Sequence, residues 1–139
     1  RLSLVGSEMC IRDRFNKLSM EFLLGQVFRV FAFMIGIDWN ETVLVGSLLG
    51  QKFVLNEFIA YVNLAEMKTA GLLSEKSILI STYALCGFAN FSSIAIQIGG
   101  IGSMAQSRQK DISKLGLRAL LAATLATLLT GNIAGFIIA

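Results

Sequence analysis

The strongest constraint on this chain is a C-terminal stretch without a charged side chain, Ala119–Ala139. A second stretch, Ile78–Ser107, is also uncharged, although it contains Gly, Asn, Ser and Gln. An apolar run of roughly 18 residues is long enough to cross a bilayer as a helix. The two stretches therefore predict an integral membrane protein.

Composition supports this prediction and argues against several function classes. Of the 139 residues, 55% are hydrophobic and 15% are charged, whereas a soluble domain is about 45–50% apolar and about 25% charged. The net charge is only +3 and the basic residues form no stripe interleaved with aromatic residues, so we expect no nucleic-acid partner. With no His and only 2 Cys, we expect no Cys/His zinc site, no cofactor and no enzyme.

Residues 1–14, RLSLVGSEMCIRDR, differ from the rest of the chain. They contain no basic region followed by an apolar core, so they do not read as a signal peptide. Their ending, CIRDR, resembles a translated sequencing adaptor, and we predict that they are a non-native tail. The alternative is a native polar tail before the first helix.

The remaining chain divides into four helical pieces. We predict a helix over 15–37, a re-entrant hairpin over 42–70, a broken helix over 76–99 and a final helix over 114–138. The predicted fold class is therefore an all-α membrane protein, in which transmembrane helices accompany a re-entrant helical hairpin and a broken helix.

The hairpin is predicted because its middle is too polar for a plain span. Two short apolar arms, Thr42–Leu49 and Phe58–Ala65, flank the sequence GQKFVLNE. Each arm would cover only about 10–15 Å as a helix, about half of the hydrocarbon thickness. A hairpin that enters and leaves on one side fits better, and such backbone survives at membrane depth only inside protein or along a cavity.

The broken helix is predicted from the sequence GFANFSS at Gly87–Ser93, because small and polar residues weaken a continuous helix and free its backbone groups. Residues 103–114 read as a polar, basic connection. We expect three glycines to end the helix before it: Gly99, Gly100 and Gly102. The positive-inside rule then places this connection and the start of the first helix in the cytoplasm, and the C-terminus outside. The prediction is a multi-pass protein of the cell (plasma or inner) membrane.

Three polar side chains at membrane depth are the candidate binding residues: Glu57, Asn90 and Ser93. A carboxylate there costs at least ~2.5–3.5 kcal/mol on insertion scales, so it is a functional candidate by default. Half-helix ends that meet near the midplane are how many transporters build a site. A carboxylate, an amide and a hydroxyl suit a neutral, polyhydroxylated ligand such as a sugar, and Phe88 could add an apolar or stacking wall.

Structural interpretations of the same residues stay open at this point. Glu57 could form an ion pair with Lys52, and Asn90, Ser92 and Ser93 could cap the second half-helix. Phe88 could be a core residue. Two other functions also fit a re-entrant segment. One is a pore or channel subunit whose loop lines a conduction path, and the other is a structural membrane interaction protein.

Two stretches resemble the concentrative nucleoside transporter family. These are GSLLGQKFVLNEFIAY (Gly46–Tyr61) and LSEKSILISTYALCGFANFSSIAIQIGG (Leu73–Gly100), and the likeness runs from about Lys17 to the end. The resemblance implies that 15–139 is the C-terminal part of a transport domain and a fragment of a longer protein. The resemblance also implies that the first hairpin and the fourth helix of the family, which hold most of the contacts to the nucleobase and the cation, are not part of this chain.

The same resemblance implies function and site roles. It implies a homotrimer in the bilayer that imports nucleosides together with a coupling cation, sodium or proton. By motif, Glu57, Asn90 and Ser93 would bind the ribose, and Phe88 would line the same site. This chain would then hold about half of the binding site and no complete cation site.

Overall fold

A computed structural model describes residues 20–138, and the side chains of 22–137. That part of the chain is helical and contains no strand. We number its helices in chain order: α1 Met20–Met34, α2 Thr42–Val54, α3 Glu57–Thr69, α4 Glu75–Leu85, α5 Phe91–Met104 and α6 Gln109–Ile138, with a 3₁₀ turn at Gln106–Arg108. The all-α prediction is confirmed.

The first helix ends in a glycine turn. α1 stops at Met34 rather than at the predicted residue 37, because Gly36 has a positive φ of 94°. The Gly36 N–H donates to Phe33 O and the Ile37 N–H donates to Ala32 O, which satisfies carbonyls at the helix end. The predicted start of this helix, like the predicted tail at residues 1–14, lies outside the described residues.

The predicted helical hairpin is present. Only Leu55 and Asn56 separate α2 from α3. The arms lie side by side, since Asn63 Nδ2 donates to Gln51 Oε1. Each arm has 13 residues, about 20 Å at 1.5 Å per residue, against a hydrocarbon thickness of about 30 Å.

The two ends of the hairpin meet at its base. The carboxylate of Glu41, just before α2, accepts bonds from the N–H and the hydroxyl of Ser74 at 3.0 Å each. Ser74 follows α3 and is also the N-cap of α4, where its hydroxyl accepts from Ser77 N–H. The hairpin therefore enters and leaves on the same side, and the next helix starts there.

The broken helix consists of α4 and α5, with residues 86–90 between them. The prediction that glycines end it near residue 99 is wrong, because α5 continues to Met104. A glycine inside a helix costs only about 1 kcal/mol relative to alanine, which does not by itself end a helix. Gly102 is buried against the side chain of Gln109, and a Cβ on Gly102 would lie 3.3 Å from Gln109 Cγ. The absence of a side chain at Gly102 therefore lets the start of the following helix pack closely.

The final helix is longer than predicted. α6 begins at Gln109 rather than at residue 114, so the predicted polar connection over 103–114 is partly helical. Its polar first turns form a helix because Asp111 lies near the positive end of the helix dipole and pairs with Arg108. Within the described residues, Gln106–Ile137 is the one helical stretch that is long and apolar enough to cross a membrane.

α6 runs antiparallel to the broken helix and spans its break. Gly116 lies against Ile94 of α5, and Gly131 lies against Ala84 of α4, where an added Cβ would come within 3.1 and 3.0 Å of those side chains. One continuous helix therefore supports both half-helices. Around this contact the buried apolar residues of α1 to α4 and Leu128 of α6 form one core.

The crossing of α1 and α2 depends on a missing side chain, which gives a first prediction. A Cβ on Gly46 would lie 2.6 Å from Gly25 O and 2.9 Å from Arg29 N. We expect Gly46→Ala to lower the free energy of unfolding by about 1–3 kcal/mol through overpacking. Thermal unfolding of the purified protein in detergent measures this loss of stability. Gly99→Ala is the matched control, because nothing lies within 4 Å of a Cβ there; equal losses in both variants would contradict the packing account.

Candidate functional site

The tip of the hairpin and the break of the second helix meet through one side-chain hydrogen bond. Asn90 Nδ2 donates to Glu57 Oε2 at 2.7 Å. Glu57 is the first residue of α3, and Asn90 is the last residue before α5. The structure therefore brings together two of the predicted site residues that are distant in sequence.

Asn90 has a second role as the N-cap of α5. Its Oδ1 accepts from Ser93 N–H at 2.6 Å, while its backbone has an extended conformation, as is typical of an N-cap. Because the amide group donates with nitrogen and accepts with oxygen, one side chain serves both contacts. The capping interpretation is therefore right for Asn90, and it coexists with the bond to Glu57.

Ser93 lies one turn into α5 and is half-buried. The cap uses its backbone N–H and not its hydroxyl. The break thus brings Ser93 close to Asn90, and its hydroxyl is not required for the turn itself.

Phe88 is not a core residue. Its side chain is 79% exposed, whereas Asn90, two residues on, is only 1% exposed. The aromatic residue that packs at the break is Phe91, which makes an edge contact with Phe53 of α2 at 5.0 Å between ring centroids. Phe88 therefore stands on the open side of the break.

The alternative pairing of Glu57 with Lys52 is not what the structure shows. Lys52 is 3% exposed, and its Nζ donates to Ala84 O at 2.8 Å and to Thr127 Oγ1 at 2.9 Å. Ala84 belongs to the last turn of α4, whose carbonyls lose their helical partners at the break. The ammonium group therefore binds α4 and α6 instead of the carboxylate at the hairpin tip.

Tyr61 is a site-supporting residue that the sequence analysis did not identify. Its hydroxyl donates to Thr82 O at 2.7 Å, so it satisfies another carbonyl near the end of α4. Asn56 is the N-cap of α3, and its side chain accepts from Ile59 N–H. A signal for Asn56 existed, because Asn followed by Glu and an apolar run is a helix start. No local signal marks Tyr61, because its acceptor lies on another helix.

The arrangement can hold a hydroxylated neutral ligand. It presents the Glu57 carboxylate bonded to the Asn90 amide, with Ser93 in the first turn of the following helix and the exposed ring of Phe88 at the break. In the part of the chain that the structure describes, no three His, Cys, Asp or Glu side chains are grouped so that they could hold a metal ion.

A short helical hairpin packed against a broken helix is an arrangement from which many membrane transporters build their sites, and comparison with known sequences gives the family of this chain. The family profile described as "Na+ dependent nucleoside transporter C-terminus" matches residues 2–135. This chain therefore belongs to the concentrative, Na+-dependent nucleoside transporter family. It is a membrane protein.

Curated relatives agree with this assignment. The chain is 52% identical to the uncharacterized transporter YutK of Bacillus subtilis, over 87% of this chain and 30% of the relative. It is 46% identical to the putative nucleoside permease NupX of Escherichia coli, over 89% of this chain and 30% of the relative. Solute carrier family 28 member 3 of Mus musculus is 42% identical, over 98% of this chain and 22% of the relative.

Solved structures show the same fold. The transporter CNTnw in an inward-facing, substrate-bound state superposes with a TM-score of 0.79 at 42% identity, over 85% of this chain and 29% of that chain. The chain thus spans less than a third of these bacterial relatives and structures. The family match begins at residue 2, so it extends into the segment predicted to be a non-native tail. That prediction stays a prediction.

The contact between Glu57 and Asn90 gives a second prediction. Asn90→Asp keeps the cap acceptor but replaces the donor with a carboxylate that faces Glu57, so we expect a lower melting temperature. Combining it with Glu57→Gln restores a carboxylate–amide pair with the roles exchanged. We expect a coupling of about 1–2 kcal/mol between the two changes, obtained from unfolding of the single and double variants. Strictly additive losses would contradict the contact.

Proposed function

We propose that this chain is the C-terminal part of a nucleoside:cation symporter and carries the ribose-binding half of the substrate site. The observation that carries the proposal is the bond between Glu57 and Asn90, which joins the hairpin tip to the helix break. The family match supports the substrate class, since its description names nucleoside transport. The function is transport without covalent chemistry.

Each proposed binding residue has a role that follows from its chemistry. Glu57 accepts hydrogen bonds from two vicinal hydroxyl groups, and the amide of Asn90 donates to or accepts from a sugar oxygen. The hydroxyl of Ser93 completes the polar side. Phe88 offers a ring face to the ligand from the exposed side of the break.

The remaining parts of the proposal concern the whole protein. The coupling cation is sodium or a proton, held mostly by residues outside this chain, and the family description favours sodium. We propose a multi-pass homotrimer in the plasma or inner membrane, with its basic 103–114 segment in the cytoplasm.

Replacing the hairpin carboxylate in the complete transporter tests the proposal. Glu57→Gln preserves size but removes the charge from bonds to the sugar, and a hydrogen bond to a charged group contributes ~1.5–3 kcal/mol. We expect the Kd for uridine or adenosine to rise by at least about 10-fold, measured by calorimetry on the purified protein. Glu66→Gln is the matched control, because Glu66 is an exposed carboxylate on the same helix.

The ligand series decides which part of the nucleoside Glu57 contacts. In the unmodified protein, 2′,3′-dideoxynucleosides should bind more weakly than nucleosides, and Glu57→Gln should remove most of that difference. Unchanged nucleoside affinity in a folded Glu57→Gln protein would contradict the binding role. Conductance above carrier rates in reconstituted membranes would favour a pore instead.

A further inference from the structure

Lys52 is a buried cation in an unusual setting. It sits in the last turn of α2, five positions before Glu57, and is 3% exposed. Within the described part of the chain its Nζ bonds only oxygens that carry no formal charge, Ala84 O and Thr127 Oγ1. A buried charge normally needs paired charges or several well-placed hydrogen bonds. Here the two hydrogen bonds stabilise the ammonium group directly, and the Glu57 carboxylate adds a longer-range attraction.

Both oxygens are oriented to accept. Ala84 O is at the C-terminal end of α4, where the break at 86–90 frees the carbonyls and the helix dipole is negative. The hydroxyl of Thr127 donates its own hydrogen to Thr124 O at 2.9 Å, so its lone pairs face Lys52. The carbonyl of Ala84, at a half-helix C-terminus, is the ligand type that transporters offer to a monovalent cation, and the Thr127 hydroxyl of α6 adds a second oxygen.

We propose that Lys52 is a built-in monovalent cation of the broken helix and a positioning residue for the Glu57–Asn90 pair. Its ammonium group occupies an oxygen site at the end of α4 and is attached to the hairpin by its own side chain. This part of the transporter therefore fixes the break with a tethered ammonium group, and not with an exchangeable ion.

The positioning role follows from the three elements that Lys52 joins. It extends from α2 to the last turn of α4 and to the middle of α6. On the far side of the break, Asn90 contacts Glu57, which starts the other hairpin arm. The hairpin is thus held to both ends of the break, by Lys52 at the end of α4 and by Glu57 at the start of α5.

Chemical rescue in the complete transporter tests this proposal. Lys52→Ala removes three methylene groups and the ammonium group, which together have the size and shape of propylammonium. We expect the melting temperature of Lys52→Ala to fall and to recover with propylammonium in a saturable manner, whereas 1-propanol, of similar size but neutral, does not restore it. Lys68→Ala is the matched control, because Lys68 is an exposed lysine on the same hairpin and should show no response.

A second measurement, the Kd for a nucleoside, rests on the proposed function and is made separately from the melting temperature. Lys52→Met, which keeps the apolar stem but loses the charge, should raise the nucleoside Kd by roughly 10- to 100-fold, and propylammonium should restore binding to Lys52→Ala. If the unmodified protein binds no nucleoside, the proposed function fails, while the melting readout still decides the role of Lys52.

Several results would overturn the proposal. These are a Lys52→Ala protein as stable as the unmodified one, equal rescue by 1-propanol, or normal nucleoside affinity in Lys52→Met. If Lys52→Ala does not fold during expression, adding propylammonium to membranes during solubilisation should recover folded protein, and failure to recover it also counts against the proposal.

Discussion

A helix that is interrupted at membrane depth must find partners for the carbonyls at one broken end and for the N–H groups at the other. Here the hairpin directly supplies partners for two of the carbonyls. Lys52 and Tyr61, from its two arms, bind the carbonyls of Ala84 and Thr82 at the end of α4. At the start of α5, Asn90 caps the helix and is itself bound by Glu57 of the hairpin.

The shortness of the hairpin is what makes this arrangement possible. Its arms cannot cross the hydrocarbon, and the bonds between Glu41 and Ser74 hold its two ends together on one side. The turn between the arms therefore lies within the protein at the level of the break. A carboxylate at that turn meets an amide at the break, and we propose that a ligand with hydroxyl groups replaces part of this contact.

Much of this could be predicted from local sequence. The uncharged C-terminal run predicted the long apolar helix α6, the polar centre between short apolar arms predicted the hairpin, and the cluster at 87–93 predicted the break. Glu57 and Asn90 were predicted to be neighbours, and they are. Their roles in binding, and those of Ser93 and Phe88, remain proposals that the geometry supports.

Other features depend on contacts that no local pattern records. The end of α5 was misplaced because a glycine penalty of about 1 kcal/mol is small beside packing against the next helix. The acceptors of Lys52 lie 32 and 75 positions away, so its sequence neighbours suggested Glu57 as the partner. Tyr61 was missed for the same reason, since its acceptor belongs to α4.

The most direct test of the central claim is an experimental structure of the complete transporter with a nucleoside bound. The account predicts that the ribose hydroxyls lie within hydrogen-bond distance of the Glu57 carboxylate and the Asn90 amide, between the hairpin turn and the break. Density that shows the sugar away from both side chains, or residues 42–69 as one continuous helix, would contradict it.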